Sequence, residues 1–202
     1  MSGDPDSSGI SYPANDRTDE QLMVAFARGQ TDAFTVLFNR YKQPLFGFFR
    51  RRLADPSQAE ELTQDTFLVI VRSASRYQPT ALFRTYLYAI ALRILQAHRR
   101  KAAFRATFRG AAASREPAVQ NTPDVEVALR HAVGKLEPTD REILMLREFE
   151  QLKYEEIAKV LDLPVNTVRS RLFRARTALR DLLSAPSGET LGSTLSKSEE
   201  RI

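Results

Sequence analysis

The chain has 202 residues, 43% of them hydrophobic and 27% charged, which corresponds to one or two domains of ordinary size and excludes a wholly disordered or collagen-like chain. It contains no cysteine and only two histidines, His98 and His131, so disulfide frameworks, thiolate zinc sites and cysteine nucleophiles are excluded, and neither a metal nor a cofactor is expected. The 30 Lys and Arg against 25 Asp and Glu leave +5, a modest excess that points toward a polyanionic partner.

Residues 1–18 are rich in Ser, Gly, Asp and Pro and begin acidic and polar rather than basic then apolar, so a disordered tail without a leader is expected. Residues 185–202 predict a similar tail. Between them the signals are helical throughout, with no alternating strand pattern and no Asn-Gly turn, and the predicted fold class is all-α. Asp19 to Ala27 predicts a short helix ended by Gly29. Thr31 is expected to cap a longer one with Phe34, Leu37, Phe38, Tyr41 and Leu45 on its core stripe. Asp55-Pro56 breaks the chain, and Ser57 with Glu60 has the spacing of a capping box that opens a helix to about Ser73. A loop over 75–80 with Pro79 precedes a helix from about Leu82 to Arg105, whose inner face is Phe83, Tyr86, Leu87, Ile90 and Ile94.

These helices make a first domain over 19–105. Periodicity vanishes over 106–121, which predicts a flexible linker. Thr122 with Pro123 then opens a second domain over 122–184. Thr139 and Glu142 have the spacing of another capping box, for a helix carrying Ile143, Leu144 and Leu146 toward Phe149. The last two helices, Tyr154 to Leu161 and Val165 to Leu183, are joined by the tight turn Asp162-Leu163-Pro164. No repeat of 20 to 50 residues is present, which excludes a solenoid, and no apolar run nears the ~20 residues that span a bilayer. A cytoplasmic protein without membrane insertion is expected.

The charge is unevenly spread. From Thr66 to Arg115 there is no acid, while ten basic residues give that stretch +10 and leave the remainder of the chain at −5. A second acid-free stretch, Leu163 to Arg180, holds Arg169, Arg171, Arg174, Arg176 and Arg180. Two basic regions suggest two contacts with one long anion; solvated helix faces, the competing reading, normally mix signs.

The last two helices have the design of a DNA-binding helix-turn-helix. Small Ala158 permits close approach, and Ile157, Leu161, Leu163, Val168 and Leu172 fill the angle. At 100° per residue, Val168, Leu172, Ala175, Leu179 and Leu182 fall within about 40° of one direction and predict a buried face. Asn166, Thr167, Arg169, Ser170, Phe173, Arg174 and Thr177 lie away from it, beginning at the helix N-terminus where a recognition helix meets base edges. Arginine pairs with guanine O6 and N7, the Ser170 hydroxyl suits a phosphate or base, and an outward Phe173 meets a thymine methyl; packing on the preceding helix is the other account of Phe173. Arg171, Arg176 and Arg180 flank the apolar stripe and are expected to hold phosphates or to pair with Glu155, Glu156 or Asp181.

On the helix opened by Ser57, Leu62, Thr66, Val69 and Ile70 share one side, whereas Phe67, Leu68 and Val71 project elsewhere beside Glu60, Glu61, Gln64 and Asp65. A helix in a four-helix domain needs one buried stripe, so the second either docks another protein or is covered by packing. Arg72, Arg76, Tyr77, Arg84, Tyr88, Arg99 and Arg100 combine charge with aromatics, the composition that holds single-stranded DNA. Of the tyrosines, Tyr86 is expected in the core and Tyr77 and Tyr88 are the stacking candidates.

Three motifs in order, Ala59-Glu-Glu-Leu-Thr-Gln-Asp-Thr-Phe67, then Phe83-Arg-Thr-Tyr-Leu-Tyr-Ala-Ile-Ala91 ending in Arg99-Arg100, and finally Tyr154-Glu-Glu-Ile-Ala158 with Thr167-Val-Arg-Ser-Arg-Leu-Phe-Arg-Ala-Arg176, resemble the sigma-70 family of RNA polymerase sigma factors, extracytoplasmic-function (ECF) class. The resemblance covers about Asp19 to Leu183. It implies a non-enzymatic subunit whose first domain binds core RNA polymerase and melts the −10 element of promoter DNA, and whose second domain reads the −35 element. Glu61, Leu62, Gln64, Asp65 and Phe67 match the family's polymerase-binding helix. Arg169, Ser170, Phe173 and Arg174 match its −35 contacts, and an anti-sigma factor is the implied regulatory partner. Tyr86 stands where the family usually has Trp, Arg93 where it often has Asn and Ala97 where Asp is common, so the preferred −10 bases stay open. Asp162 replaces the usual turn Gly, and Asp tolerates left-handed backbone better than most residues.

The linker permits this use. About 16 residues at 3.3 to 3.6 Å each reach roughly 53 to 58 Å, and 3.4 Å per base pair makes that about 16 or 17 base pairs. The runner-up function is a stand-alone helix-turn-helix regulator that does not join polymerase, disfavoured by the single basic reader and the lack of a dimerisation heptad. An enzyme is third, because two unpaired histidines and no Gly-rich phosphate loop leave no catalytic constellation or small-molecule site.

Overall fold

The computed structural model describes residues 16–109 and 124–184, all helical apart from their connections. In chain order the helices are α1 (Asp19–Ala27), α2 (Thr31–Arg50), α3 (Pro56–Ser73), a 3-10 turn (Ala74–Arg76), α4 (Phe83–Arg109), α5 (Asp124–Lys135), α6 (Pro138–Glu148), α7 (Tyr154–Leu161) and α8 (Val165–Ser184). Residues 1–15 of the predicted N-terminal tail, the predicted C-terminal tail, most of the predicted linker and the Thr122-Pro123 signal lie outside the described residues, whereas Thr18, placed in the tail by composition, caps α1 by accepting the Gln21 N–H at 3.3 Å while its own N–H donates to the Gln21 side chain at 3.0 Å. Helix α4 continues four residues past the expected end at Arg105, since nothing in Arg105-Ala-Thr-Phe-Arg109 breaks a helix.

Three caps differ from expectation, each for a local reason. Thr31 is the first helical residue of α2, and Gln30 occupies the cap position without a side-chain bond. The cap of α3 is Asp55, whose carboxylate accepts from the Ser57 N–H at 2.9 Å, with Pro56 just inside where its missing N–H costs nothing. Likewise α6 is capped by Glu137, which accepts from Thr139 and Asp140 at 3.1 Å each, with Pro138 following. In both helices Pro at the first position moves the cap upstream of the hydroxyl residue. Helix α4 begins with no acid of its own, and Glu20 of α1 accepts from the Phe83 N–H at 2.6 Å.

The first domain closes around Leu22, Met23, Leu37, Leu45, Phe48, Phe49, Ile70, Phe83, Leu87 and Leu95, all fully buried. On α3 the buried side is Leu62, Thr66, Phe67 and Ile70, so Phe67 belongs to the core and Val69 does not, contrary to the wheel reading. An aromatic stack draws Phe67 inward: its ring centroid lies 4.8 Å from Phe38 and 6.1 Å from Phe34. The second domain encloses Ile143, Leu146, Leu152, Ile157, Val168, Leu172 and Ala175. Leu179 is half-buried and Leu182 exposed, because the last turns of α8 run beyond the helices they pack on. The two cores meet where α7 lies against α4, and they form one continuous apolar cluster.

Candidate nucleic-acid interface

Helices α7 and α8 form the expected turn. Asp162 adopts the left-handed conformation at φ 54°, ψ 52°, as anticipated for an Asp at a glycine-like position, and the Leu163 N–H returns to the Ala158 carbonyl at 2.9 Å. Ile157, Ala158, Val168 and Leu172 are buried in the angle, with Leu161 and Leu163 half-buried. The opposite face of α8 is open. Asn166, Arg169, Ser170, Phe173 and Arg174 are exposed and Thr167 is half-buried. Phe173 is 73% exposed, which excludes packing against α7 as its role within the chain. Arg169 rests near the Tyr154 ring at 5.8 Å, and Ser170 donates to the Thr167 carbonyl at 3.1 Å, leaving its oxygen free to accept.

The arginines flanking the stripe find other partners than those expected from α7. Arg171 binds Glu137 and Asp140 at 2.9 Å each, and Arg176 binds Glu148 at 2.6 Å, so α6 and its cap supply these carboxylates. Arg180 approaches Asp181 at 3.8 Å as expected. Glu156 is turned away from α8 and is committed elsewhere.

In the first domain, Arg72, Arg76 and Arg100 are exposed, and Arg99 reaches the Arg52 carbonyl at 3.4 Å. Tyr77 is half-buried, with its ring 5.2 Å from Tyr86 and its hydroxyl buried without a hydrogen-bond partner. Burial, reinforced by the Glu20 carboxylate, pushes that phenol up to about 12. Tyr86 is half-buried rather than fully core, and its hydroxyl lies 2.6 Å from that of Ser73. Tyr88, expected as an open stacking platform, is only 4% exposed, and its hydroxyl meets Glu150 of the second domain.

The seam between the domains was not anticipated. Arg52 sends Nε and Nη2 to Glu142 at 2.9 and 2.7 Å and Nη1 to Glu150 at 3.3 Å, while its guanidinium covers the Phe48 ring at 3.7 Å. Arg51 adds a bond to Glu150 at 2.9 Å. The side chains of Arg52 and Glu150 are 1% and 2% exposed, so this is a buried charge cluster rather than a surface pair. Further along, Arg84 forks onto both oxygens of Glu156, with Nε at 2.6 Å from Oε1 and Nη2 on Oε2, and Thr85 donates to Oε1 at 3.2 Å. Glu156 also receives the Lys153 N–H at 2.8 Å and so fixes the first turn of α7. One carboxylate thus holds both the helix start and the domain contact.

Burial alone would raise the Glu156 pKa, but the Arg84 fork, the Lys153 N–H and the Thr85 hydroxyl hold it below the ordinary carboxylate range. A carboxyl with a depressed folded pKa stabilises above its unfolded value, about 4.3, and loses that contribution as pH falls through the folded one. We expect the α4–α7 contact to persist from neutral pH to about pH 4.3 and to loosen below it. Small-angle scattering through an acid titration measures this as a rise in radius of gyration, and Glu156→Gln removes the Glu156 contribution to that limb.

On α3, Glu61, Gln64 and Asp65 are exposed, whereas Leu62 and Phe67 are buried. Beside the acids lie Leu68, Val69 and Val71, at 48%, 37% and 41% exposure, an apolar strip that intramolecular packing leaves open. Among the described residues no helix is long and apolar enough to cross a membrane.

Against this geometry the comparisons with known proteins agree at both ends. Residues 37–105 match the model described as Sigma-70 region 2 and residues 126–179 match Sigma-70, region 4. The RNA polymerase sigma-H factor of Pseudomonas aeruginosa is 32% identical over 176 residues, covering 80% of this chain and 91% of that protein. The ECF RNA polymerase sigma factor SigK of a Mycobacterium species is 30% identical, with 80% and 89% covered. Among solved structures, CnrH in complex with the cytosolic domain of CnrY superposes with a TM-score of 0.66 at 26% identity, covering 84% of this chain and 99% of that one. The chain belongs to the sigma-70 family of RNA polymerase sigma factors, ECF class, non-enzymatic subunits that initiate transcription by recognising −10 and −35 promoter elements through regions 2 and 4.

Proposed function

We propose that the open face of α8 reads the −35 element through Asn166, Thr167, Arg169, Ser170, Phe173 and Arg174. The observation that carries this reading is Phe173, an aromatic 73% exposed on an acid-free helix face at the mouth of a helix-turn-helix. The arginines around it reach base edges and phosphates, and Phe173 offers an apolar surface to a thymine methyl. In the first domain, Arg72, Arg76, Arg99 and Arg100 follow the backbone of the −10 strand beside the half-buried Tyr77, and Arg84 and Tyr88, which face the second domain, join them when that domain moves away. Binding energy, not covalent chemistry, drives strand opening.

Core RNA polymerase docks on α3, where Glu61, Gln64 and Asp65 rim the strip of Leu68, Val69 and Val71, and Leu62 and Phe67 hold the helix in place. An apolar centre with a charged rim is the composition of a protein interface. Asp65→Arg places a cation in that rim, and we expect loss of core binding at an unchanged melting temperature, checked by gel filtration with core enzyme and by thermal unfolding. Retained binding would move the docking site elsewhere.

A cytoplasmic location follows from that partner, and an anti-sigma factor is the expected regulator. CnrH, similar over most of this chain, was captured with the cytosolic domain of CnrY. The test of the whole reading is runoff transcription by core polymerase on promoter fragments with and without the protein. Start-site choice that depends on it supports the reading; the same choice without it refutes it and favours a stand-alone regulator.

A further inference from the structure

A cleft of about 440 Å³ lies between α2 and α4 on one side and the turn joining α6 to α7 on the other. That volume falls within the roughly 300 to 1,000 Å³ of small-molecule sites, which concentrate where domains meet. The rings of Tyr41, Pro44 and Phe149 line it with flat apolar surface. Phe149 is 56% exposed, too open to contribute much to either core, and the Arg51 guanidinium lies 4.8 Å from its ring centroid. Arg51 and Arg84 supply the charge, and their donors are only partly used. Arg51 gives Nη2 to Glu150 at 2.9 Å, while its Nε and Nη1 have no partner among the described residues. Arg84 gives Nε and Nη2 to Glu156 and keeps Nη1. Glu150 divides between Arg51 and Arg52, and Glu156 between Arg84, the Lys153 N–H and Thr85, so neither arginine has a carboxylate to itself. The two side chains are 30% and 31% exposed, which leaves the remaining donors accessible to a solute.

Two backbone features fit a built site. A Cβ at Gly47 would stand 3.0 Å from Arg51 Nη1, so the glycine inside α2 is what lets that guanidinium lie against the helix. Gln151, also in the lining, is held at φ 53°, a conformation that costs a non-glycine residue energy.

We propose that this cleft is a binding site for a free nucleoside phosphate, with the base stacked on Phe149 and the phosphate shared by Arg51 and Arg84. A phosphate monoester brings nearly two negative charges and three strong acceptor oxygens, which suit two incompletely used guanidiniums, whereas the carboxylate of a simple aromatic acid would satisfy one. An aromatic face next to a cation is a stacking platform for any base. The Gln43 and Gln151 amides in the lining each offer a donor and an acceptor, the pairing that the edge of a nucleobase presents.

The test is equilibrium dialysis of the full chain against the four ribonucleoside 5′-monophosphates, with the unphosphorylated nucleosides and inorganic phosphate as separate arms. At least one monophosphate is expected to bind saturably at one site per chain, more tightly than its nucleoside or phosphate alone. Phe149→Ala, at an exposed position, should weaken that binding about 5- to 150-fold, the range of a lost base–aromatic stack. Arg51→Gln should weaken it about tenfold or more, and Glu150 keeps Arg52 as its partner in that variant. Gly47→Ala retains every charge and raises helix propensity, yet displaces the Arg51 guanidinium, so it should weaken binding with the melting temperature maintained. No saturable binding overturns the proposal, as does binding that all three variants leave unchanged or phosphate binding as tight as the monophosphate. A 5′-phosphorylated single-stranded oligodeoxynucleotide that displaces the monophosphate at lower concentration than the monophosphate itself would assign the cleft to a strand end and overturn the free ligand. Runoff transcription reads none of these quantities, so its failure would count against the promoter reading alone.

Discussion

Leu172→Ala is expected to unfold the helix-turn-helix, whereas its neighbour Phe173→Ala should leave the domain folded and unable to read its site. The two side chains sit on opposite sides of α8: Leu172 is 2% exposed between Ile157, Val168 and Ala175, and Phe173 is 73% exposed to solvent. Truncating a buried leucine removes its transfer free energy and leaves a cavity, at a cost of about 2 to 5 kcal/mol. At ~0.05 to 0.15 kcal/mol per residue a domain of about 60 residues holds roughly 3 to 9 kcal/mol in total, so the loss consumes much of it. Calorimetry should show the region 4 transition lowered by about 8 to 40 °C, at ~4 to 8 °C per kcal/mol for a domain of this size. Phe173→Ala removes little buried area and should change stability by less than about 0.5 kcal/mol, yet weaken promoter binding in a gel-shift assay. A Phe173→Ala protein that melts early, or that binds DNA normally, would remove this residue from the reading face.

Arg174→Ala should cost about 1 to 3 kcal/mol of −35 discrimination, roughly 5- to 150-fold, if its guanidinium bonds a base in bidentate fashion. The structure distinguishes it from its neighbours. Arg171 is held by Glu137 and Asp140 at 2.9 Å and is 28% exposed, while Arg174 is 61% exposed and only touches Asp140 at 4.0 Å. A loosely tethered cation can swing to a base edge at little cost, whereas Arg171 would first have to leave a partly buried Asp140 unpaired. Arg171→Ala is therefore expected to lower stability more than specificity, and Arg174→Ala the reverse. Footprinting of the −35 region separates a local loss at one position from a uniform weakening, and an unchanged −35 footprint would exclude Arg174 as a reader. All promoter affinities should fall steeply with salt, since arginines dominate both contact surfaces.

The seam changes what the basic charge of this chain means. Read along the sequence, the run from Thr66 to Arg115 is an anion-binding stretch. In the folded protein Arg84 inside it is already satisfied by Glu156, a residue 72 positions away, and Arg52 by Glu142 and Glu150. Removing one partner from such a buried set strands the other charge, which costs far more than an exposed pair contributes.

Features governed by neighbours in the chain were legible directly: the bounds of α1 and α7, the left-handed turn at Asp162, the buried stripe of Val168, Leu172 and Ala175, and the outward face of Phe173. Helical periodicity and turn chemistry act over three to seven residues, so one strand of sequence contains all their causes. The caps at Asp55 and Glu137 were missed by two residues because proline at the first helical position shifts the register that a hydroxyl-to-glutamate spacing suggests. Tyr88 buried, Phe67 drawn into an aromatic stack, Arg171 tied to α6 and Arg84 clasped by Glu156 were set by folding alone. Each depends on a partner that periodicity does not bring near, and a guanidinium carries the same five donors whether a phosphate or a distant carboxylate receives them.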